Sequence, residues 1–137
     1  MMPYIKENKQ EMSRLYTQAA NQLIGELPRG WTNFVLGFFV DNQDSDTLLI
    51  YVSSDEGAQW RDFMDDVFEA DEIMVGVFDC RDTLRELREL CARSGDKWSC
   101  VTLSVNKLGA FEAEFDYEPL EELTSMRKKM WVGKYLS

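Results

Sequence analysis

Carboxylates are the residues of this chain whose types and spacing could support catalysis. Asp44 and Asp46 lie two positions apart, and Asp62 precedes the adjacent pair Asp65 and Asp66 by three positions. Paired carboxylates act as acid and base in glycosidases, and they hold magnesium in some hydrolases. Aspartates in polar turns and on the wet side of helices are more often only solvated, so these spacings indicate an enzyme weakly.

Histidine, the base of the commonest nucleophile–base pairs, is missing from this chain. The chain has 137 residues and no histidine, which excludes Ser-His and Cys-His pairs. Its three cysteines, Cys80, Cys91 and Cys100, lack metal-ligand spacing. We therefore predict no catalytic residue, no metal site and no cofactor. We expect three reduced thiols in or near the core.

Acidic charge is the main compositional feature, with a formal net charge of −10. Residues 55–79 hold nine acids and one base. A chain this acidic is repelled by nucleic acid and anionic membranes, so its natural partners are basic surfaces. Mixtures of aromatic and charged residues are typical of interface hot spots. The predicted partner-binding residues of this segment are Trp60, Asp62, Asp65, Asp66, Glu69, Asp71 and Glu72. The alternative is an amphipathic helix with buried aromatics and solvated acids.

Strict alternation of apolar and polar residues near the end of the chain predicts a β-hairpin. Apolar side chains share one face if Val105 pairs with Phe111 across a three-residue loop that ends at Gly109. Such loops place a glycine in the left-handed conformation.

This register puts Glu112, Glu114 and Asp116 side by side on the outward face of the hairpin. A solvated outer face is one interpretation of the row, because antiparallel sheets often show one face to water. A binding face for a basic partner is the other. The segment 123–137 that follows contains four bases and no acid, and we expect a short basic helix or an extended tail.

The first third of the chain predicts a helix and a second hairpin. Apolar residues recur at helical spacing over residues 5–26. The runs Trp31–Val40 and Thr47–Val52 are rich in aromatic and β-branched residues and flank a polar turn. Both runs are apolar at odd and even positions, so these strands should be central or covered on both faces.

The middle of the chain predicts helices with less regular boundaries. We expect a short helix within Asp55–Glu69, and a short strand or apolar loop at Ile73–Phe78. A helix over Cys80–Ser94 follows, with Asp79 as its N-cap and Gly95 ending it.

Together these elements predict an α+β fold in one domain, residues 1–137. Its antiparallel β-sheet of four to five strands is packed with three to four helices. No apolar run approaches the ~20 residues of a membrane span. The first residues show no apolar signal-peptide core, so we expect a cytoplasmic protein.

The chain also resembles a known family, mainly through its last third. The residues concerned are Trp98-Ser99, Thr102-Leu103-Ser104, Gly109, Phe111, Phe115-Asp116-Tyr117-Glu118, Arg127, Trp131 and Lys134-Tyr135-Leu136. They resemble the YezG-like immunity proteins, with a looser likeness at Leu15-Tyr16, Leu23, Pro28 and Trp31, and the weakest likeness between Ser54 and Asp79. The resemblance implies a small cytosolic antitoxin that blocks a toxin domain, often a nuclease, which the same bacterium delivers to competitors.

The leading hypothesis is therefore an immunity protein that binds a basic, nuclease-type toxin domain tightly and stoichiometrically. It could fill or cover the basic groove of the nuclease, or bind beside that groove and be steered by charge. A small carboxylate-dependent hydrolase and an acidic adaptor for a basic cellular protein are the alternatives.

Overall fold

Five antiparallel strands form one sheet in a computed structural model that describes residues 2–65 and 74–136. The strands are β1 (Asn33–Val40), β2 (Asp46–Ser53), β3 (Arg61–Asp62), β4 (Cys100–Asn106) and β5 (Phe111–Asp116). Their order across the sheet is β3-β2-β1-β4-β5, so β1 is central and β3 and β5 are the edges. The helices α1 (Met2–Ile24), α2 (Val75–Arg93) and α3 (Ser125–Tyr135) pack on the two faces. This arrangement confirms the predicted α+β fold.

The central strand β1 is covered on both faces, as its apolar composition predicted. Phe34, Leu36 and Phe38 belong to the large core beneath α1 and α2. Val35 and Phe39 point the other way, into a smaller core beneath α3. Side chains alternate between the faces of a strand, so one uninterrupted apolar run supplies both cores.

The first helix and α2 pack together on one face of the sheet. Helix α1 begins earlier than the predicted residue 5 and ends at Ile24, close to the predicted end. The two helices approach so closely at Gly76 that a Cβ atom there would lie 2.5 Å from the carbonyl oxygen of Gln22. The hydroxyl of Thr83 donates a hydrogen bond to the Gln22 side chain at 2.8 Å. None of the described helices is both long and apolar enough to cross a membrane.

Helix α2 begins at Val75, so the predictions of a strand or loop there and of Asp79 as N-cap are wrong. Asp79 lies inside the helix, and the N-cap residue Met74 makes no side-chain capping bond. Buried Val77 continues the helical spacing of Cys80 and Leu84 by one more turn. Burial against α1 therefore outweighs the missing cap. The end of α2 is as predicted, with Gly95 in the left-handed region at φ +83°.

The first part of the range Asp55–Glu69, in which a short helix was predicted, is not helical. Asp55 holds a turn in which its carboxylate accepts hydrogen bonds from the Ser53 hydroxyl and the Gln59 amide. Left-handed backbone at Glu56 and Gly57 prevents a helix from starting there. Trp60 then precedes β3. Residues 63–65 are helical, within the predicted range, and residues 66–69 of that range lie outside the described residues.

The predicted register of the β4–β5 hairpin is confirmed. Val105 pairs with Phe111. The three-residue loop ends at Gly109, whose φ is +100°. The Asn106 side-chain oxygen accepts hydrogen bonds from the Leu108 and Ala110 amides, which fixes the loop.

The C-terminal segment forms helix α3, which covers the second face of the sheet through Trp131. This indole is 1% exposed. It lies over Gly37 of β1, where a Cβ atom would be 2.7 Å from the ring. Its Nε1–H donates to the Thr102 hydroxyl at 2.9 Å. The face of the hairpin that we expected to be outward is thus partly buried, since Thr102 and Cys100 are each 2% exposed.

We predict that Gly37→Ala destabilises the protein by about 1–3 kcal/mol, because the added methyl group overlaps Trp131. The measurement is the free energy of unfolding in urea. Gly133→Ala is the matched control, since nothing lies within 4 Å of its Cβ position in α3. It should raise stability by about 0.5–1 kcal/mol through helix propensity. Equal stability of Gly37→Ala and the wild type would refute the close contact.

Candidate functional site

The structure describes part of the acidic segment that was predicted to bind a partner. Trp60, Asp62 and Asp65 lie at the β3 edge of the sheet. The other predicted residues of this segment, Asp66, Glu69, Asp71 and Glu72, lie outside the described residues. The candidate surface is therefore built from the β3 edge and from the hairpin acids.

Asp62 and Asp65 surround a half-buried tyrosine of the neighbouring strand. Asp62 pairs with Tyr51 across the β2–β3 ladder. The Asp62 carboxylate accepts a hydrogen bond from the Met64 amide at 3.0 Å, which caps the helical residues that follow. Burial raises the pKa of Tyr51, and the negative charges of Asp62 and Asp65 raise it further. Tyr51 thus stays protonated as a neutral hydrogen-bond donor.

One described acid from each predicted acidic group lies on the same face of the sheet. Pairing runs from Asp62 to Tyr51, Val35, Ser104 and Glu112, one residue from each strand. Directly paired residues of neighbouring strands point to the same side, so Asp62 and Glu112 share the face on which α3 lies. Four strand spacings separate them, or about 19 Å. Sequence patterns located the two acidic groups but could not show that they share a face.

Two of the three hairpin acids are held by α3 of the same chain. Arg127 donates to Asp116 at 2.9 Å. The Tyr135 hydroxyl donates to Glu114 at 2.8 Å, and Lys134 is 3.3 Å from the same carboxylate. Hydrogen bonds from Tyr135 and Lys134 lower the pKa of Glu114. The row is therefore neither merely solvated nor wholly open to a partner.

Glu112 lies where α3 no longer covers the sheet. A cleft of about 250 Å³ opens there, with Trp60 and Tyr135 among its lining residues. Val35 and Ser104 of the central strands also line it, and Glu112 stands at its rim. The cleft therefore joins the β3 side of the face to the hairpin side.

The three thiols are buried, as predicted, and are free cysteines. Burial raises the pKa of Cys80 and of Cys100 to about 12, and it also raises the pKa of Cys91. Nucleophilic attack by cysteine requires the thiolate. Their chemistry is therefore that of small core side chains.

Asp44 and Asp46, a candidate pair for catalysis, have different surroundings. Asp46 accepts hydrogen bonds from Arg81 Nε at 2.8 Å and from Arg85 Nε at 2.7 Å, which joins β2 to α2. Partial burial raises the pKa of Asp46, but the bonds from Arg85 and Arg81 outweigh it and leave the pKa lowered. Asp44 is exposed in the β1–β2 turn at φ 60°. Within the described ranges, no group of three or more acidic or cysteine side chains is placed to hold a metal ion.

Two further surfaces were missed from the sequence. A groove of about 760 Å³ beside α2 is lined by three arginines and three acids, namely Arg85, Arg88, Arg93, Asp44, Asp46 and Glu89. Met126 and Met130 of α3 are 73% and 64% exposed. Their spacing of four residues on a helix places them on one face, which is the signal that could have identified this apolar stripe.

Comparison with known proteins gives one result that bears on function. Residues 12–137 match the sequence model of a family described as "Immunity protein YezG-like". A search of curated proteins found no match. The family match extends from α1 to the end of the chain, and so it includes every strand and the α3 face.

We predict that Asp46→Asn lowers the free energy of unfolding at pH 7 by about 1.5–3 kcal/mol, because Arg81 and Arg85 lose their anion. Because folding lowers the pKa of Asp46, the ionised carboxylate stabilises the fold at pH values above its unfolded pKa of about 3.9. This stabilisation is lost as the pH falls through the folded pKa.

The difference between Asp46→Asn and the wild type should therefore shrink between pH 5 and pH 2 in denaturant titrations (roughly the range of carboxylate titration). Asp44→Asn removes the same charge two residues away, and asparagine tolerates the left-handed conformation. That control should leave stability nearly unchanged. A cost for Asp46→Asn that is the same at both ends of this range would contradict the ionic role.

Proposed function

The chain belongs to the YezG-like immunity protein family, and from this membership we propose that it neutralises a cognate nuclease toxin domain in interbacterial competition. The protein binds the toxin stoichiometrically and performs no chemistry on it. We place it in the cytoplasm of the producing cell, where cysteines remain reduced. The observation that carries the proposal is the cross-sheet row with a carboxylate at each end, Asp62 and Glu112.

Charge complementarity supports a nuclease as the partner. A nuclease binds phosphodiesters and therefore presents a basic groove. The α3 face offers carboxylates at both edges of the sheet, on either side of the four bases of α3, and the net charge of the chain is −10. Such a potential accelerates encounter with a basic protein and repels nucleic acid.

Packing supports the same face as the docking surface. The cores on both sides of the sheet hold the edges in place, so Trp60, Asp62 and Glu112 are fixed relative to one another. A preorganised surface pays less ordering entropy on binding. Exposed Met126 and Met130 of α3 could add apolar contact area on the adjoining helix.

We predict that toxin association slows steeply as ionic strength rises, and that reversing charges on the α3 face reduces the on-rate. Asp65→Lys with Glu112→Lys should lower it by about tenfold or more at low salt. Stopped-flow or surface-binding kinetics measure the effect. The matched control is Asp79→Lys with Glu86→Lys, which reverses two exposed acids on α2 across the sheet.

The control pair should change the on-rate less, because its charges lie farther from the docking face. Folding stability should change little in both pairs, since exposed charges contribute little to it. An on-rate that is flat with salt, or equal for the two pairs, would remove the α3 face as the steering surface.

The alternative of a carboxylate-dependent hydrolase has a direct test. We predict no turnover of nucleic acids, esters or glycosides by the purified protein, with or without magnesium. Metal-dependent hydrolysis that Asp65→Asn or Asp66→Asn abolishes would place the hydrolase ahead. Stoichiometric protection of cells by the wild-type protein and by these variants supports the immunity proposal instead.

A further inference from the structure

The cleft on the α3 face has the chemistry of a site for one cationic side chain. Its walls include the aromatic rings of Trp60 and Tyr135, which are half-buried. Its floor includes Val35 and Ser104, and Glu112 lies at its rim. The ammonium group of Lys134 already lies 5.2 Å from the centre of the Tyr135 ring. The Trp60 indole and the Glu112 carboxylate are therefore the groups of the cleft that are complementary to a planar cation from another molecule.

Helix α3 leaves Glu112 as the available carboxylate of the hairpin row. Glu114 is bound by Tyr135 and Lys134, and Asp116 is bound by Arg127. Among the side chains of residues 9–65 and 74–136, which are the ones described, Glu112 has no hydrogen-bond or ion-pair partner. An anion left unpaired beside a partly apolar cleft is placed to pair with a cation from another molecule.

Resting on the proposed function, we propose that this cleft receives a single arginine of the toxin, with its guanidinium against the Trp60 indole and its charge paired with Glu112. Arginine fits better than lysine for two physical reasons. Its planar group stacks on aromatic faces and is weakly hydrated, so it loses less on leaving water. Its fork of N–H groups bonds both oxygens of a carboxylate, whereas the ammonium of lysine acts as a point charge.

The cleft brings together residues from three separate segments of the chain. Trp60 comes from the segment before β3, and Glu112 comes from β5. Tyr135 comes from the last turn of α3, where its hydroxyl is fixed by Glu114. The three residues are distant in the sequence and meet at one cleft. An arginine can therefore reach all of them only when the toxin is docked correctly on the whole face.

The experiment compares Glu112→Gln with Glu118→Gln in binding to the cognate toxin domain. Both substitutions remove one exposed charge near the same strand, so any steering effect on the on-rate is matched. We expect Glu112→Gln to raise the off-rate about tenfold with an unchanged melting temperature. Glu118→Gln should leave the off-rate unchanged. One Arg→Lys substitution in the toxin should reproduce the loss, and it should not add to that of Glu112→Gln.

A probe without the toxin tests the cleft itself. N-acetylarginine amide should bind weakly and shift the NMR signal of the Trp60 indole N–H. The citrulline analogue, which has nearly the same shape but no charge, should not. Equal shifts from both compounds, or shifts that persist in Glu112→Gln, would overturn the assignment.

The outcomes separate the two proposals. If the toxin binds the wild type tightly while Glu112→Gln and Glu118→Gln behave alike, the arginine site is wrong and the immunity function stands. If the wild type neither binds nor neutralises the toxin, the proposed function fails, and the identity of the arginine donor fails with it.

Discussion

The contact of Trp131 with the central strand determines the arrangement of the whole α3 face. The indole can lie flat on the sheet because β1 has glycine at residue 37. The hydrogen bond from its Nε1–H to Thr102 satisfies the only polar atom of the ring at low cost. Phe39, Tyr51 and Tyr135 surround it at ring-centre distances of 5.6–6.0 Å. Without this anchor, β1 would expose the apolar side chains of its second face to water.

The same contact controls the electrostatics of the hairpin. With Trp131 seated, α3 runs beside β5 and brings Arg127, Lys134 and Tyr135 to the acidic row. Repulsion among neighbouring carboxylates is thereby relieved at Glu114 and Asp116. Exposed ion pairs of this kind contribute little stability each. Their larger consequence concerns binding, because α3 pairs with Glu114 and Asp116 and leaves Glu112 unpaired beside the cleft.

Local patterns were sufficient to predict the strands and their register. Parity and the loop ending at Gly109 fixed the pairing of Val105 with Phe111, because both constraints act within one hairpin. The start of α2 could not be predicted in this way. It depends on the fit of Gly76 against α1, a contact between residues more than fifty positions apart, and such contacts override local capping preferences.

The candidate site shows the same limit. Opposite charges in the consecutive segments 111–122 and 123–137 were visible in the sequence, and the acids were assigned to an outside partner. In the structure, Glu114 and Asp116 instead form ion pairs with α3 of the same chain. That outcome follows from proximity in the chain, since side chains 11 to 21 residues away in the same chain have a far higher effective concentration than another protein. Predicting the cleft between Trp60 and Glu112 would have required the order of the strands in the sheet, which hydrophobic periodicity does not give.

The edges of the sheet indicate how a partner approaches. An exposed edge strand invites pairing with another chain, and proteins prevent this with charges and short strands. Here β5 carries alternating acids, and β3 is only two residues long. Both features disfavour recognition by strand addition. Contact through side chains is therefore favoured over strand addition. On the α3 face, which we propose as the docking surface, the carboxylates at the sheet edges also provide the attraction for a basic surface. Protection against aggregation and selection of the partner then depend on the same residues.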